Sequence, residues 1–136
     1  MAVLNTLAVA GVIGILATHA QAASTPERDA ARRGRMTYGR YCVPCHGAEA
    51  RGDGLRAAEL RITVPDLTTI ARRHGGTYPY DSVVRTIMKG SEVKGHGATD
   101  DMPAWGPPLN QSDGMAAMVA AVRDLGHFLW SVQRTE

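Results

Sequence analysis

The chain has 136 residues, 15 Lys or Arg against 13 Asp or Glu, and a formal charge of +2, which suits one domain. That balance excludes the strongly basic surface a nucleic-acid binder needs and leaves no acidic tail. One Phe, two Trp and four Tyr are few rings for a core, because aromatic side chains supply much of the buried area of ordinary domains. A large apolar cofactor would fill the deficit, although an Ala-rich helical protein has the same composition.

In chain order, residues 1–24 contain no charged side chain, and the apolar stretch runs from Ala2 to about Ala17. Small residues at Ala20 to Ala22 fit a cleavage site, so 1–22 reads as a signal peptide. No Lys or Arg stands near Met1, which departs from that pattern. The alternatives are an uncleaved N-terminal anchor, although a span needs ~20 apolar residues, or a buried first helix. Both leading readings put the rest of the chain outside the cytoplasm. Residues 23–31 read as a linker containing Pro26, which can open a helix at its first turn, and 32–136 as the domain. The charged, Ala-rich segment predicts a helix from Glu27 to Cys42, with Met36, Tyr38 and Tyr41 as its apolar contacts. Gly34 and Gly39 lower its intrinsic helicity, and such a glycine often marks a close crossing.

Residues 43–65 read as loop, with Pro65 forcing Val64 toward extended backbone. A short helix is expected from Asp66 to about His74, stopped by Gly75 and Gly76. "YDSVVRTIMKG" predicts another, with Asp81 as N-cap, an inner face of Val83, Val84, Ile87 and Met88, and Gly90 at its end. Residues 91–109 read as a second loop. From about Asp113, Met115, Met118, Val119, Val122, Leu125, Phe128, Leu129 and Val132 recur at three and four, the signature of a long amphipathic helix. No segment alternates as a strand would. The domain reads as all-α, with short helices and long ordered loops.

The only cysteines are Cys42 and Cys45, followed directly by His46. On a helical turn, positions three apart share a face. Both sulfurs can therefore meet one edge of a haem while the next residue turns its imidazole under the iron. C-x-x-C-H is the pattern of c-type haem attachment. A thioredoxin-like switch would need a βαβ setting, and none surrounds these residues. A zinc site needs four ligands, usually from two separated pairs, and His74, His96 and His127 are scattered singly. A disulfide between residues this close would stabilise little.

If haem binds, "DDMPAWG" offers Met102 as a sixth ligand. The other methionines of the domain sit on expected helices, where Met is usually a soft core filler. His96, in the nearby "KGHG", is the rival, and an open sixth position the third option. The carbonyl of Pro65 is the candidate to hold the other ring nitrogen of His46 and so fix its tautomer; the alternative is an ordinary turn proline. His74 and His127 are most simply solvent-facing.

Taken together, Gly34, Tyr38 and Cys42 at steps of four, "CVPCHG", the "GDG" turn, "PDL", "HGGTYPYDSVVRTIMKG", "MPAWG" and the closing "LGHFLWSVQ" resemble the small, mono-haem class I c-type cytochromes of bacteria. The resemblance covers about residues 32 to 133. It implies a cytochrome c-like fold, short helices and loops wrapped around one covalent haem c, with thioethers at Cys42 and Cys45. It further implies His46 as proximal ligand, Met102 as distal ligand and Pro65 as support for His46. Gly34 and Tyr38 would cross the last helix near Leu125 and Phe128. Phe128 stands where Tyr is more usual, and Gly126 with His127 is expected to loosen the last helix locally.

The function implied is one-electron transfer in the periplasm, not catalysis, with donor and acceptor proteins as partners. No nucleic acid is expected, and a membrane only if the N-terminal segment stays. Two alternatives stand beside a free carrier. One is a haem c subunit of a larger oxidoreductase. The other is a ligand-binding or peroxidatic haem protein in which Met102 is displaced. Two ionised propionates would bring the net charge near zero, so steering by net charge should be weak.

Overall fold

The computed structural model describes residues 25–60, 62–90, 102–109 and 114–134. The first helix, α1, spans Pro26–Tyr41, and its start follows from local chemistry. The Thr25 hydroxyl accepts from the Arg28 N–H at 3.3 Å, Pro26 occupies the first turn, and Glu27 and Asp29 face the positive end of the helix dipole. Residues 26–31 are therefore helix and not linker, and Ala30 among them is buried. Gly34 and Tyr38, four apart, form the inner face. Met36 is 74% exposed, against expectation. It lies two residues from each of them, which in a helix means the opposite side.

A one-turn helix, α2, follows at Val43–His46, and then a loop with a 3-10 turn at Ala57–Glu59. A second 3-10 turn, Leu67–Thr69, leads into α3, Ile70–Arg73. Asp66 opens that pair, its carboxylate accepting from the Thr68 N–H at 2.8 Å and the Thr68 hydroxyl at 2.6 Å. Helix α4 spans Tyr80–Lys89, and its N-cap is Pro79, not Asp81. The Val83 N–H reaches the Pro79 carbonyl at 3.0 Å, so the ladder begins before Asp81 can cap it. Asp81 sits inside the first turn, where its charge still suits the dipole. A short α5, Gly106–Leu109, occupies a stretch expected to be loop, and α6 runs Gly114–Ser131.

Two crossings build the core. At the first, α1 lies on α6 so closely that a Cβ on Gly34 would stand 2.0 Å from the Asp124 carbonyl oxygen. Arg33 closes this contact from outside, its guanidinium donating to both Asp124 oxygens at 2.7 and 2.9 Å. At the second, α4 meets α6 at Gly126, where a Cβ would come within 2.9 Å of the Tyr80 ring and 3.0 Å of Val84. Gly126 thus admits a neighbour, which corrects the expectation that it loosens the helix. The Tyr78 hydroxyl donates to its carbonyl at 3.0 Å. His127, expected in solvent, is half-buried, with its ring 4.9 Å from that of Tyr80 and 6.3 Å from that of Trp130.

Buried Met118, Val122, Leu125, Phe128 and Leu129 follow the expected stripe of α6, but Met115 is 70% exposed. Periodicity selects a face of a helix; it does not say whether another element covers every turn of it. Beyond α6, Gln133 acts as a clip. Its amide nitrogen donates to the Leu67 and Leu129 carbonyls at 2.8 and 2.6 Å, and its amide oxygen accepts from the Ala71 N–H at 2.8 Å. Among the described residues there is no strand, and no helix is long and apolar enough to cross a membrane.

Candidate haem site

The junction of α1 and α2 carries the cysteine pair. Cys42 caps α1 through its N–H to the Tyr38 carbonyl at 2.9 Å, and the His46 N–H reaches back to the Cys42 carbonyl at 2.8 Å. The Tyr38 hydroxyl, buried under Phe128 with ring centroids 4.9 Å apart, donates to the Gly47 carbonyl at 2.8 Å. The α1–α6 crossing is thereby tied directly to the residue after His46. Burial raises the Tyr38 phenol, so this donor stays protonated.

The glycines after His46 let the next loop close on that turn. A Cβ on Gly54 would lie 2.4 Å from the Pro44 carbonyl oxygen, and one on Gly52 would lie 2.3 Å from that of Val64. The Leu67 N–H bonds to the Ala50 carbonyl at 2.8 Å, which laces the extended Val64–Asp66 segment to the same loop. Pro65 is thereby held beside the cysteine turn.

Met102 arrives from the other direction. Gly90 ends α4 with φ +58°, and a Cβ there would stand 2.6 Å from the Met102 carbonyl oxygen. The Trp105 N–H bonds to the Ile87 carbonyl at 3.0 Å. These two contacts pin residues 102–105 against the end of α4.

Between these elements lies a cavity of about 590 Å³, and Cys42, Cys45, His46, Pro65 and Met102 all line it. Val64, Ile70, Val83, Ile87, Leu125 and Leu129 supply apolar wall. Sequence reasoning did not single out four further features of this site. Arg73 and His74 border the cavity from α3 and just beyond it. Trp105 also lines it, its ring 5.3 Å from that of Tyr41. Gly90 was read as a helix stop, and its close approach to Met102 carries no signal in one sequence. Arg73 donates to the Asp66 carbonyl at 2.8 Å and to the Thr69 hydroxyl. His74 is exposed, as expected, with Nδ1 2.8 Å from the Ile70 carbonyl. His96, the rival distal ligand, lies outside the described residues.

The residues present fit a haem. The volume falls within the ~300–1,000 Å³ usual for cofactor sites, which are mostly apolar with few polar groups. Two cysteines, a histidine and a methionine line the same space. Both cysteines are free and half-buried, and burial, with the neighbouring Cys45, pushes the Cys42 thiol up to about 12. A redox-switch cysteine needs the opposite, a lowered value. Among the described residues no group of three or more His, Cys, Asp or Glu could hold a bare metal ion, so a zinc-type ligand set is not formed there.

The family model described as cytochrome c oxidase, cbb3-type, subunit III matches residues 29–121. No curated protein and no solved structure matched. The chain belongs to that family. It is an electron-transfer protein of the mono-haem c-type cytochrome class, carries covalently bound haem c, exchanges electrons with redox partners and is not an enzyme in itself.

Proposed function

Starting from that membership, we propose that the chain is a periplasmic one-electron carrier with His/Met axial ligation. Cys42 and Cys45 form the thioethers, His46 and Met102 ligate the iron, and the Pro65 carbonyl supports His46. One observation carries this reading. Five residues spread over sixty positions of sequence line a single apolar cavity.

Bound haem c supplies a reversible one-electron couple. His46 and Met102 would together hold the iron, which would leave no place on it for oxygen or peroxide. The Met102 thioether favours the ferrous form and raises the potential. The apolar walls act in the same direction, because oxidation adds charge where solvent cannot stabilise it. Gly90 and the Trp105–Ile87 bond hold the Met102 segment against α4, and the Tyr38–Gly47 bond holds the His46 turn against α6.

A pyridine haemochrome spectrum, with the weak sulfur-to-iron band of the oxidised protein, tests attachment and ligation together. A c-type spectrum is expected, with the band lost in Met102→Ala and retained in His96→Ala. Retention in the first variant overturns the distal assignment. The matching family is named for an oxidase subunit, which favours a second reading, a haem c subunit held in a larger complex. Co-purification with other subunits from native membranes distinguishes it from the free carrier.

A further inference from the structure

We propose that Trp105 is a positioning residue for Met102: its indole, set against the Tyr41 ring, joins the Met102 segment to the end of α1 beside Cys42 and keeps the thioether in the cavity. This rests on the His/Met reading and names what holds its distal half. The backbone of Trp105 is fixed on both sides. Its N–H bonds to the Ile87 carbonyl at 3.0 Å, and its carbonyl accepts from the Leu109 N–H at 3.2 Å. A Cβ on Gly106 would stand 3.2 Å from the Met88 carbonyl oxygen, so the chain just after Trp105 also lies close on α4. The indole reaches a different wall. It is half-buried, lines the cavity, and has its ring centroid 5.3 Å from that of Tyr41 with the planes tilted by 49°. That is the range of a favourable aromatic pair. Tyr41 is the last residue of α1, stands directly before Cys42 and lines the same cavity. The Arg40 guanidinium lies over the Tyr41 ring at 5.3 Å, a cation–π contact that favours this ring position.

A segment held along one edge can still swing about it, whereas contacts on two walls fix its place across the cavity. The backbone bonds tie residues 102–106 to α4; the ring pair ties them to α1. "MPAWG" puts the indole three residues after Met102, close enough in the chain for its position to govern that of the thioether. The Trp105–Tyr41 pair forms only when the Met102 segment is near the cysteine end of α1, so it favours the arrangement that keeps Met102 inside. A small ligand that competes with Met102 must bind the minor arrangement in which the thioether is withdrawn. Its apparent affinity therefore scales with the population of that arrangement. The worth of such a ring pair corresponds to about fivefold in an equilibrium constant.

Imidazole titration of the oxidised holoprotein, followed by loss of the sulfur-to-iron band, reads that population. Trp105→Leu keeps an apolar side chain but removes the ring, and should raise the imidazole affinity about fivefold. Tyr41→Leu should do the same. The double variant should exceed either single one by no more than about twofold, because both remove one shared contact. Trp105→Phe keeps a ring and should return to within about twofold of wild type. Gln133→Ala weakens the fold from the α3 side and should also stay within about twofold, which separates positioning from a general loss of stability. All variants should keep the c-type haemochrome spectrum. Unchanged imidazole affinity in Trp105→Leu or Tyr41→Leu, effects that multiply independently in the double variant, or an equal gain in Gln133→Ala overturns the proposal. A wild-type protein that lacks the sulfur band sinks instead the His/Met reading itself.

Discussion

Gly34 and Gly39 stand on the same helix, and alanine should act oppositely at the two. A Cβ on Gly34 would lie 2.0 Å from the Asp124 carbonyl oxygen and 2.9 Å from the Leu125 nitrogen, both backbone atoms that cannot rotate away. Restoring ordinary contact at 3.4 Å requires α1 and α6 to separate by about 1.4 Å. That motion stretches the Arg33–Asp124 fork, the Tyr38–Phe128 ring contact and the Tyr38–Gly47 bond together. Overpacking of this kind costs up to about 3 kcal/mol. Weakening the ring pair and the buried hydrogen bond adds about 1 kcal/mol, and the better helix propensity of Ala returns about 1. The net, about 3 kcal/mol, corresponds to a fall in Tm of about 10–15 °C. On Gly39 a Cβ meets nothing within 4 Å, so Gly39→Ala receives only the propensity gain, a rise of about 4 °C. Thermal unfolding of the holoprotein followed by far-UV circular dichroism reads both. If Gly34→Ala proves as stable as Gly39→Ala, the close crossing of α1 and α6 is wrong.

Gln133→Ala should lower the urea midpoint by the equivalent of about 2 kcal/mol, because it strands the Ala71 N–H and the Leu67 carbonyl. Met102→Ala is expected to lower the reduction potential as well as abolish the sulfur band, which redox titration checks. Replacing both Cys42 and Cys45 by alanine should abolish covalent haem. Without haem the apolar walls of a cavity of about 590 Å³ are left facing water. The bare polypeptide should therefore lose most of its helical dichroism and bind a hydrophobic dye. Burial pushes the Asp66 carboxyl up, but the two bonds from Thr68, with Arg134 and Arg73 nearby, outweigh it and leave it below the usual carboxylate range. A depressed folded value stabilises the fold above the unfolded carboxylate value of about 3.9 and ceases to do so as pH falls through the folded value. Asp66→Asn should therefore be less stable than wild type near pH 7, and the difference should shrink as pH falls through the folded value, as urea midpoints across the acid range will show.

The short-range part of the fold was legible. Thr25, Pro26 and the acidic first turn mark the start of α1, and the three-four recurrence from Met118 to Leu129 marks the buried face of α6. Both signals act within one or two turns of helix, so a single chain carries them in full. The helix starts and the exposed stripe residues were less so. Asp81 is a good capping residue one position too late, because Pro79 already accepts the first bond of α4. Met36 and Met115 have the hydrophobicity of core residues, but they are 74% and 70% exposed.

The covalent chemistry was equally local. Cys42, Cys45 and His46 lie within one turn, the missing βαβ setting and second cysteine pair argue against a redox switch or zinc, and Met102 stands out because no helical stripe explains it. What tertiary structure alone decided is how these pieces come to face one space. Gly54, Gly90 and Gly126 look alike in the sequence, yet each admits a different neighbour: the cysteine turn, the Met102 segment and α4. Such close approaches join residues far apart in the chain, and a missing side chain carries no mark of what will fill its place.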